Sequence, residues 1–439
     1  MQRSLASTSG QALPKAATDS LPIILPNASY YGTLAAARSL GRQGLQILTA
    51  DPSWWPVARY SRFTTRHLHC PSFEDTQTWI DWLVEFGSKG PRHVIYATSD
   101  AVSFALARYQ SRLSSTFHLY QPPFSTILDI LDKGRLLLRA QEVGVKTPDT
   151  WFPKSVQEAG EIAADVGGKL LIKPRSQLSQ RILSKGHVVD ADPRSVREVV
   201  AAYLHDAARD SEFGRVIPDA LTPMLQRYHP EALEGVYALT GFRDQDGNMA
   251  LRAARKTLQR PRRIGVGVCF EPAEVEPEIA EAAARLSAHV GYYGAFELEF
   301  IQVGSEWLLI DFNGRFYNQI GLDIARGLDL PRLAYEAAIG NHENCQRLLR
   351  GASVDHGMNV VFCNESERAL MIWMQRLAGS ISPEEARHWN RWPHDNIKRI
   401  VDTVRDEDDA LPHYVDVLRR IMAAARHPRS FLRQYGSMN

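Results

Sequence analysis

Two short runs constrain the fold of this 439-residue chain more than any other feature: Phe296-Glu-Leu-Glu-Phe-Ile-Gln302 and Trp307-Leu-Leu-Ile-Asp-Phe-Asn-Gly-Arg315. Strand side chains alternate faces with period two. Glu297 and Glu299 therefore share one face of a first strand. Asp311 and Asn313 share one face of a second, with Arg315 following in phase. Leu298, Phe300, Ile310 and Phe312 are expected to point the other way, into a core. A short turn at Gly304-Ser305 makes the two runs a hairpin. If the polar faces coincide, Glu299, Asp311 and Asn313 form one oxygen-rich cluster. Coincidence calls for an odd loop of three or five residues; a two-residue loop would set Glu299 and Asp311 on opposite faces.

The competing reading is a half-exposed hairpin with a solvated polar face. Burial would decide against it. Two carboxylates about 4 Å apart repel by roughly 4 kcal/mol at an effective dielectric of ~20, so a buried pair demands a shared proton or a cation. Carboxylate and amide oxygens are hard ligands suited to Mg²⁺ or Mn²⁺. Arg315 beside them suits a phosphate or carboxylate oxygen.

Charge excludes some classes of function. Lys and Arg number 51 and Asp and Glu 50, a formal +1. No strong field is present to favour nucleic acid or a membrane surface. No apolar run approaches the ~18–20 residues of a spanning helix. Residues 1–20 are polar, lack the apolar stretch of a signal peptide and are expected to be loose, which points to a cytoplasmic protein. Cys70, Cys269, Cys345 and Cys363 form no CxxC pair, so free buried thiols are expected rather than zinc or disulfides. The histidines of the tail (His356, His388, His394, His413) show no metal-ligand spacing.

Residues 21–25, 45–49 and 93–97 read as strands, with a helix over 33–43 and another over 76–86 after Ser72-x-x-Asp75. That is the start of a parallel α/β sheet. The turn Asn27-Ala-Ser-Tyr-Tyr-Gly32 lacks the GxGxxG fingerprint, which disfavours a nicotinamide dehydrogenase. Helices follow over 132–143, after the capping box Ser155-x-x-Glu158, and from Asp192-Pro193. Strands are expected at 170–173, 224–228, 236–243 and 249–257, with a turn at Asp246-Gly247. A helix runs from Pro277 to Gly291. The tail beyond Gly340 reads as polar and helical, with a capping box at Ser382 and a last helix over 414–425.

Single lysines stand at telling places: Lys133 at a helix start, Lys173 at the end of an apolar strand, and Lys256 among small residues in Arg252-Ala-Ala-Arg-Lys-Thr257. Each alone has a bland reading as a solvated or edge lysine. Their order, followed by the Glu…Asp-x-Asn-x-Arg hairpin, resembles the ATP-grasp superfamily, in particular its carboxylate–amine ligases, over about residues 21–340.

The resemblance implies a fold: an N-terminal parallel α/β (pre-ATP-grasp) domain at 21–125, then a two-subdomain ATP-grasp domain at 126–345 with its flap subdomain at about 150–228. A mostly helical extension at 346–439 follows. It implies ATP and Mg²⁺ (or Mn²⁺) as cofactors. Lys133 and Lys173 would meet the nucleotide phosphates, Gln226-Arg227-Tyr228 the adenine, and Glu234, or else Glu231, the ribose. Arg255 and Lys256 would lie near the transferred phosphate, with Glu299, Asp311 and Asn313 on the metal and Arg315 on the reacting group. Asn27, Gly32, Asp100 and Asn318 are candidates for the carboxylate substrate.

The implied activity joins a small carboxylate to an amine in the cytoplasm, without nucleic acid or membrane partners. An ATP-grasp kinase, an acid–thiol ligase and a non-catalytic nucleotide-binding module remain open. So does the tail's role, in closing the acceptor pocket or in forming a homodimer. Three departures from the family pattern stand out. Asp311 replaces the usual Glu, Gly314 a frequent Pro, and the flap from Arg175 to Ile182 lacks glycines and offers Ser, Gln and Arg donors.

Overall fold

A computed structural model describes residues 20–181, 186–233, 235–261, 265–355 and 357–436. The first sheet contains β1 (Ile23–Pro26), β2 (Ile47–Asp51), β3 (Thr64–His69), β4 (His93–Ile95) and β5 (Phe117–Leu119). Its order is β3-β2-β1-β4-β5, and every pairing is parallel. The buried runs of β1, β2 and β4 are the apolar segments that the sequence marks. The edge strands β3 and β5 escape pattern reading: Thr-Thr-Arg-His-Leu-His has no apolar alternation and becomes a strand by pairing with β2. The helix Thr76–Ser88 starts at Asp75, whose carboxylate accepts from Thr78 N, rather than at Ser72.

A four-stranded sheet follows, ordered β6-β9-β7-β8 from β6 (Thr150–Trp151), β7 (Lys169–Lys173), β8 (His187–Asp190) and β9 (Met224–Arg227). Its helices Val156–Val166 and Pro193–His205 carry the expected caps: Ser155 accepts from Glu158 N and Asp192 from Ser195 N.

The largest sheet has seven strands. They are β10 (Val236–Arg243), β11 (Met249–Arg260), β12 (Val266–Ala273), β13 (Gly294–Val303), β14 (Glu306–Asn313), β15 (Val361–Cys363) and β16 (Ile400–Asp402). The order is β14-β13-β10-β11-β12-β15-β16. The tail is thus mostly helical and also lends two strands to this sheet. Cys269 and Cys363 meet across β12 and β15 with their sulfurs 3.0 Å apart; all four cysteines are free and buried.

One apolar core backs β13 and β14, joining Leu298, Phe300, Leu309 and Phe312 to Tyr237, Ile279 and Leu286. A second core fuses the first sheet to the last: Ile23, Leu25 and Tyr96 share it with Phe242, Phe316 and Ile320. The Tyr96 and Phe316 rings stack at 4.6 Å, and Phe316 N donates to Ala97 O. The exit of β14 is thereby held against the carboxyl end of β4, where ligands of open parallel sheets gather. Among the described residues no helix is long and apolar enough to cross a membrane.

Candidate active site

The hairpin has the two-residue turn Gly304-Ser305: Val303 pairs with Glu306. By simple alternation that turn would part Glu299 from Asp311, yet Glu299 pairs directly with Asp311 and Glu297 with Asn313. The register shifts between Glu299 and Phe300, where the extra residue Ile310 forms a β-bulge. A bulge resets which face the strand presents. The expectation that an odd loop is needed is corrected by it, and so is the placement of Ile310. Leu309 fills the core, while Ile310 turns to the cleft beside Ile301 and Val236.

That cleft offers about 1200 Å³ of space, counting the solvent at its mouth, and is lined by Glu299, Asp311, Asn313, Lys133, Lys173 and Lys256. Asp100 and Arg315 line it too. Its charges are paired across elements. Lys256 Nζ donates to Glu299 Oε1 at 2.7 Å, and Lys133 Nζ to Asp311. Arg315 Nε donates to Asp100 Oδ1 at 2.6 Å and its second guanidinium nitrogen to Asn313 Oδ1 at 3.0 Å. Asp100 opens the helix Asp100–Arg108, a position that favours an anion. Burial, the largest single influence, would lower the Lys256 ammonium, but Glu299 together with Glu297 and Asp311 makes the net shift upward. Burial opposes the Arg315 charge in the same way, and Asp100, Tyr30 and Glu297 together raise that group.

Glu297 is the residue that selection from sequence missed, although its alternation with Glu299 was the available signal. It is buried behind Asn313, which donates to it at 3.0 Å, and Gln319 donates to its other oxygen. Burial and then the neighbouring Glu299 push its carboxyl up to about 7. Tyr30 was missed as well. Arg315 lies over its ring at 5.9 Å, and burial pushes its phenol up to about 12.

Gly314 does not loosen the turn before Arg315. A Cβ there would meet Ile130 Cδ1 at 2.3 Å and Tyr292 Cε2 at 2.7 Å, so close packing demands glycine. On the flap side, Arg175 clamps rather than covers: it holds Asp132 through Nε at 2.7 Å and a second nitrogen at 2.5 Å. Ser176 and Gln177 line the cleft instead. Residues 182–185 lie outside the described residues.

Gln226, Arg227 and Tyr228 all line the cleft. Gln226 donates to Thr150 Oγ1 at 2.8 Å and Arg227 pairs with Asp149. The backbone N–H groups of Arg227 and Tyr228 already donate to Asp149 O and Lys169 O. Around them Ala232, Val236, Ile301 and Ile310 make an apolar wall.

Other sequence candidates lie elsewhere. Arg255 points to the opposite face of β11 from Lys256, as strand alternation requires, and rests on Tyr237 and Trp307. Asn27 takes φ 53° in the turn after β1 and does not line the cleft. Gly32 is a packing position: a Cβ would meet Tyr317 O at 2.6 Å. Asn318 donates to Gly267 O and lines a second cavity. Glu234 lies outside the described residues. Glu231 sits in the turn Pro230–Leu233, 3.9 Å from the ring of His229, which itself lines the cleft.

The chain has the ATP-grasp fold. Its backbone matches the biotin carboxylase domain of 2-oxoglutarate carboxylase from Hydrogenobacter thermophilus, solved with MgADP, ADP and bicarbonate. The TM-score is 0.58 at 17% identity, over 73% of this chain and 70% of that one. An L-amino acid ligase from Bacillus licheniformis matches at TM-score 0.54 and 16% identity, over 75% of each chain. N5-carboxyaminoimidazole ribonucleotide synthetase from Thermus thermophilus matches at 0.52 and 18%, over 72% and 78%. In sequence, the carbamoyl phosphate synthase large chain of Helicobacter pylori is 23% identical over 234 residues, 52% of this chain. The chain spans about one fifth of the length of that curated relative. No family model matches. Within the ATP-grasp fold, the charged cleft lies between the flap sheet, the bulged hairpin and the ends of the first sheet.

Two carboxylates and an amide oxygen are a partial donor set for a divalent ion. Among the described residues no three His, Cys, Asp or Glu side chains converge to hold a metal. Mg²⁺ suits such a site, because it binds through one or two carboxylates and takes its other ligands from phosphate and water.

Proposed function

We propose that the protein is an ADP-forming ligase that joins a carboxylate to an amine through an acyl phosphate, with MgATP in the cleft. The observation that carries this reading is the cleft's division into an apolar wall of Val236, Ile301 and Ile310 and a charged end with three ion pairs. A flat base suits the first and a polyphosphate the second. Glu299, Asp311 and Asn313 would hold Mg²⁺ or Mn²⁺, which neutralises phosphate charge when bound. Lys133 and Lys256, which now hold those carboxylates, would turn to phosphate oxygens.

The carboxylate oxygen attacks the γ-phosphorus and the bond to ADP breaks. The amine then attacks the acyl carbon, expels phosphate and loses a proton. Such transfers depend on positioning and charge neutralisation more than on a strong base. Arg315, fixed by Asp100 and Asn313, is placed to receive the anionic oxygens of the acyl phosphate. The named ligase and synthetase among the structural matches support the reading, as does the MgADP of the carboxylase domain.

The test is ADP release on a panel of carboxylic acids, with amines or thiols present and absent, for wild type beside Asp311→Asn. Amine-dependent ADP release that the variant loses is expected. Thiol-dependent release would favour the acid–thiol ligase. Nucleotide binding with no release on any pair of substrates would favour the binding module.

A further inference from the structure

A second, open cavity adjoins the cleft, with about 1250 Å³ of space counting the solvent at its mouth. The two share a wall. Gln259 and Gly265 line the cleft, while their neighbours Arg260 and Val266 line the cavity. Arg315 belongs to the cleft, and the Tyr30 ring beneath it belongs to the cavity. The far side comes from the tail, through the helix Leu411–Arg426 and His427.

Among the described residues, four arginines line this cavity against one carboxylate, Asp416. Two of the four are neutralised in a buried knot. Arg420 bonds Asp416 at 2.8 Å, Glu367 at 3.2 Å and the hydroxyls of Tyr31 and Tyr435 at 2.8 and 3.0 Å. Arg260 pairs with Glu367 and lies over the Tyr435 ring at 4.7 Å. The knot balances two arginines with two acids. The side chains of Arg419 and Arg426 are left over, and neither makes a hydrogen bond or ion pair with a described residue. Asp51, the acid that Arg419 acts on, already accepts from the backbone of Ser29 and Ser53, both at 2.7 Å. Guanidinium groups in a concave, partly apolar wall bind carboxylate or phosphate through paired hydrogen bonds. Tyr30, Tyr31 and Trp55 supply aromatic surface between the arginines and Arg315.

We propose that this cavity holds the body of the carboxylate substrate and that Arg419 and Arg426 bind a second anionic group on it, a carboxylate or a phosphate, while the reacting carboxylate enters the cleft past Arg315. This deepens the ligase reading and rests on it. The substrate class is then a dianionic acid, and the tail is the specificity element.

The experiment uses linear dicarboxylates of four to seven carbons, monocarboxylates of matched length, and ω-phosphono acids, each with a panel of amines. ADP release is measured for wild type, Arg419→Gln/Arg426→Gln and Arg419→Lys/Arg426→Lys. Dianions are expected to show at least a tenfold lower KM than matched monoanions. The glutamine pair should erase that preference through KM with kcat held within about twofold, and the lysine pair should restore part of it. Whichever of the dicarboxylate and phosphono arms has the lower KM identifies the second group. Equal KM for mono- and dianions, or a preference that survives the glutamine pair, overturns the proposal. Calorimetric titration of the same acids onto MgADP-bound protein reads the cavity without turnover. Dianion binding that depends on the two arginines, with no ADP release on any pair, would overturn the ligase reading alone. No dianion binding would overturn the cavity assignment alone if release persists on monoanions.

Discussion

The cleft and the neighbouring cavity are both rich in cations, but they handle them differently. In the cleft, Glu299, Asp311 and Asp100 each hold a cation from another element. In the cavity, Arg260 and Arg420 are locked by Glu367 and Asp416, while Arg419 and Arg426 line the wall with no side-chain hydrogen bond or ion pair to a described residue. Under the proposed function, the paired charges of the cleft would exchange partners when a metal polyphosphate arrives. Surplus charge in the cavity is a standing attraction for an anion. On the two proposals, the contrast would separate a site for chemistry from a site for selection.

The largest test of that contrast is Asp311→Asn. It should lower ADP release more than ~100-fold by weakening the metal site, while the overall fold persists in circular dichroism. Full activity would mean that the cation site is mislocated. Next come the ion pairs of the two sites. Lys256→Met leaves the partly buried Glu299 without its cation and should cost about 1–3 kcal/mol in urea denaturation, with much of it recovered in Lys256→Met/Glu299→Gln. Arg420→Gln should cost a similar amount by leaving buried Asp416 without its cation, while Glu367 keeps Arg260. By contrast, Arg419→Gln/Arg426→Gln should move stability by less than about 0.5 kcal/mol. A large loss there would show that these arginines are structural, and the contrast would collapse.

A smaller effect is expected from Ile310→Ala, which trims the apolar wall. Nucleotide affinity measured by titration should fall by about 1–2 kcal/mol with little change in the metal dependence of release. The smallest belongs to Arg255→Ala, on the far side of β11. ADP release should stay within about twofold, and a collapse in rate would return Arg255 to the reaction.

Much of the site was legible because charge and periodicity were local. The helix-start lysine, the strand-end lysine and the Glu…Asp-x-Asn-x-Arg hairpin all line one cleft. The resemblance sets Arg255 beside Lys256 at the transferred phosphate, but alternation turns neighbours on a strand to opposite faces, and Arg255 rests on Tyr237 and Trp307 instead. The edge strands β3 and β5 and the sheet strands β15 and β16 were not legible, since their short runs become strands through the neighbours that pair with them. Gly314 shows the same limit: its need for no side chain comes from Ile130 and Tyr292, far away in sequence.

By itself, the sequence determined the apolar strands β1, β2, β4 and β7, the helix caps at Ser155, Asp192 and Ser382, and the polar face of the hairpin, because these follow from propensity and period over a few residues. Only the tertiary structure decided the rest. The bulge at Ile310 sets Asp311 against Glu299 despite an even turn, since register is fixed by cross-strand pairing and core packing rather than by counting. The cavity at Arg419 and Arg426 exists because the tail folds back across the turn after β1, a contact between residues almost four hundred positions apart, which no local pattern encodes.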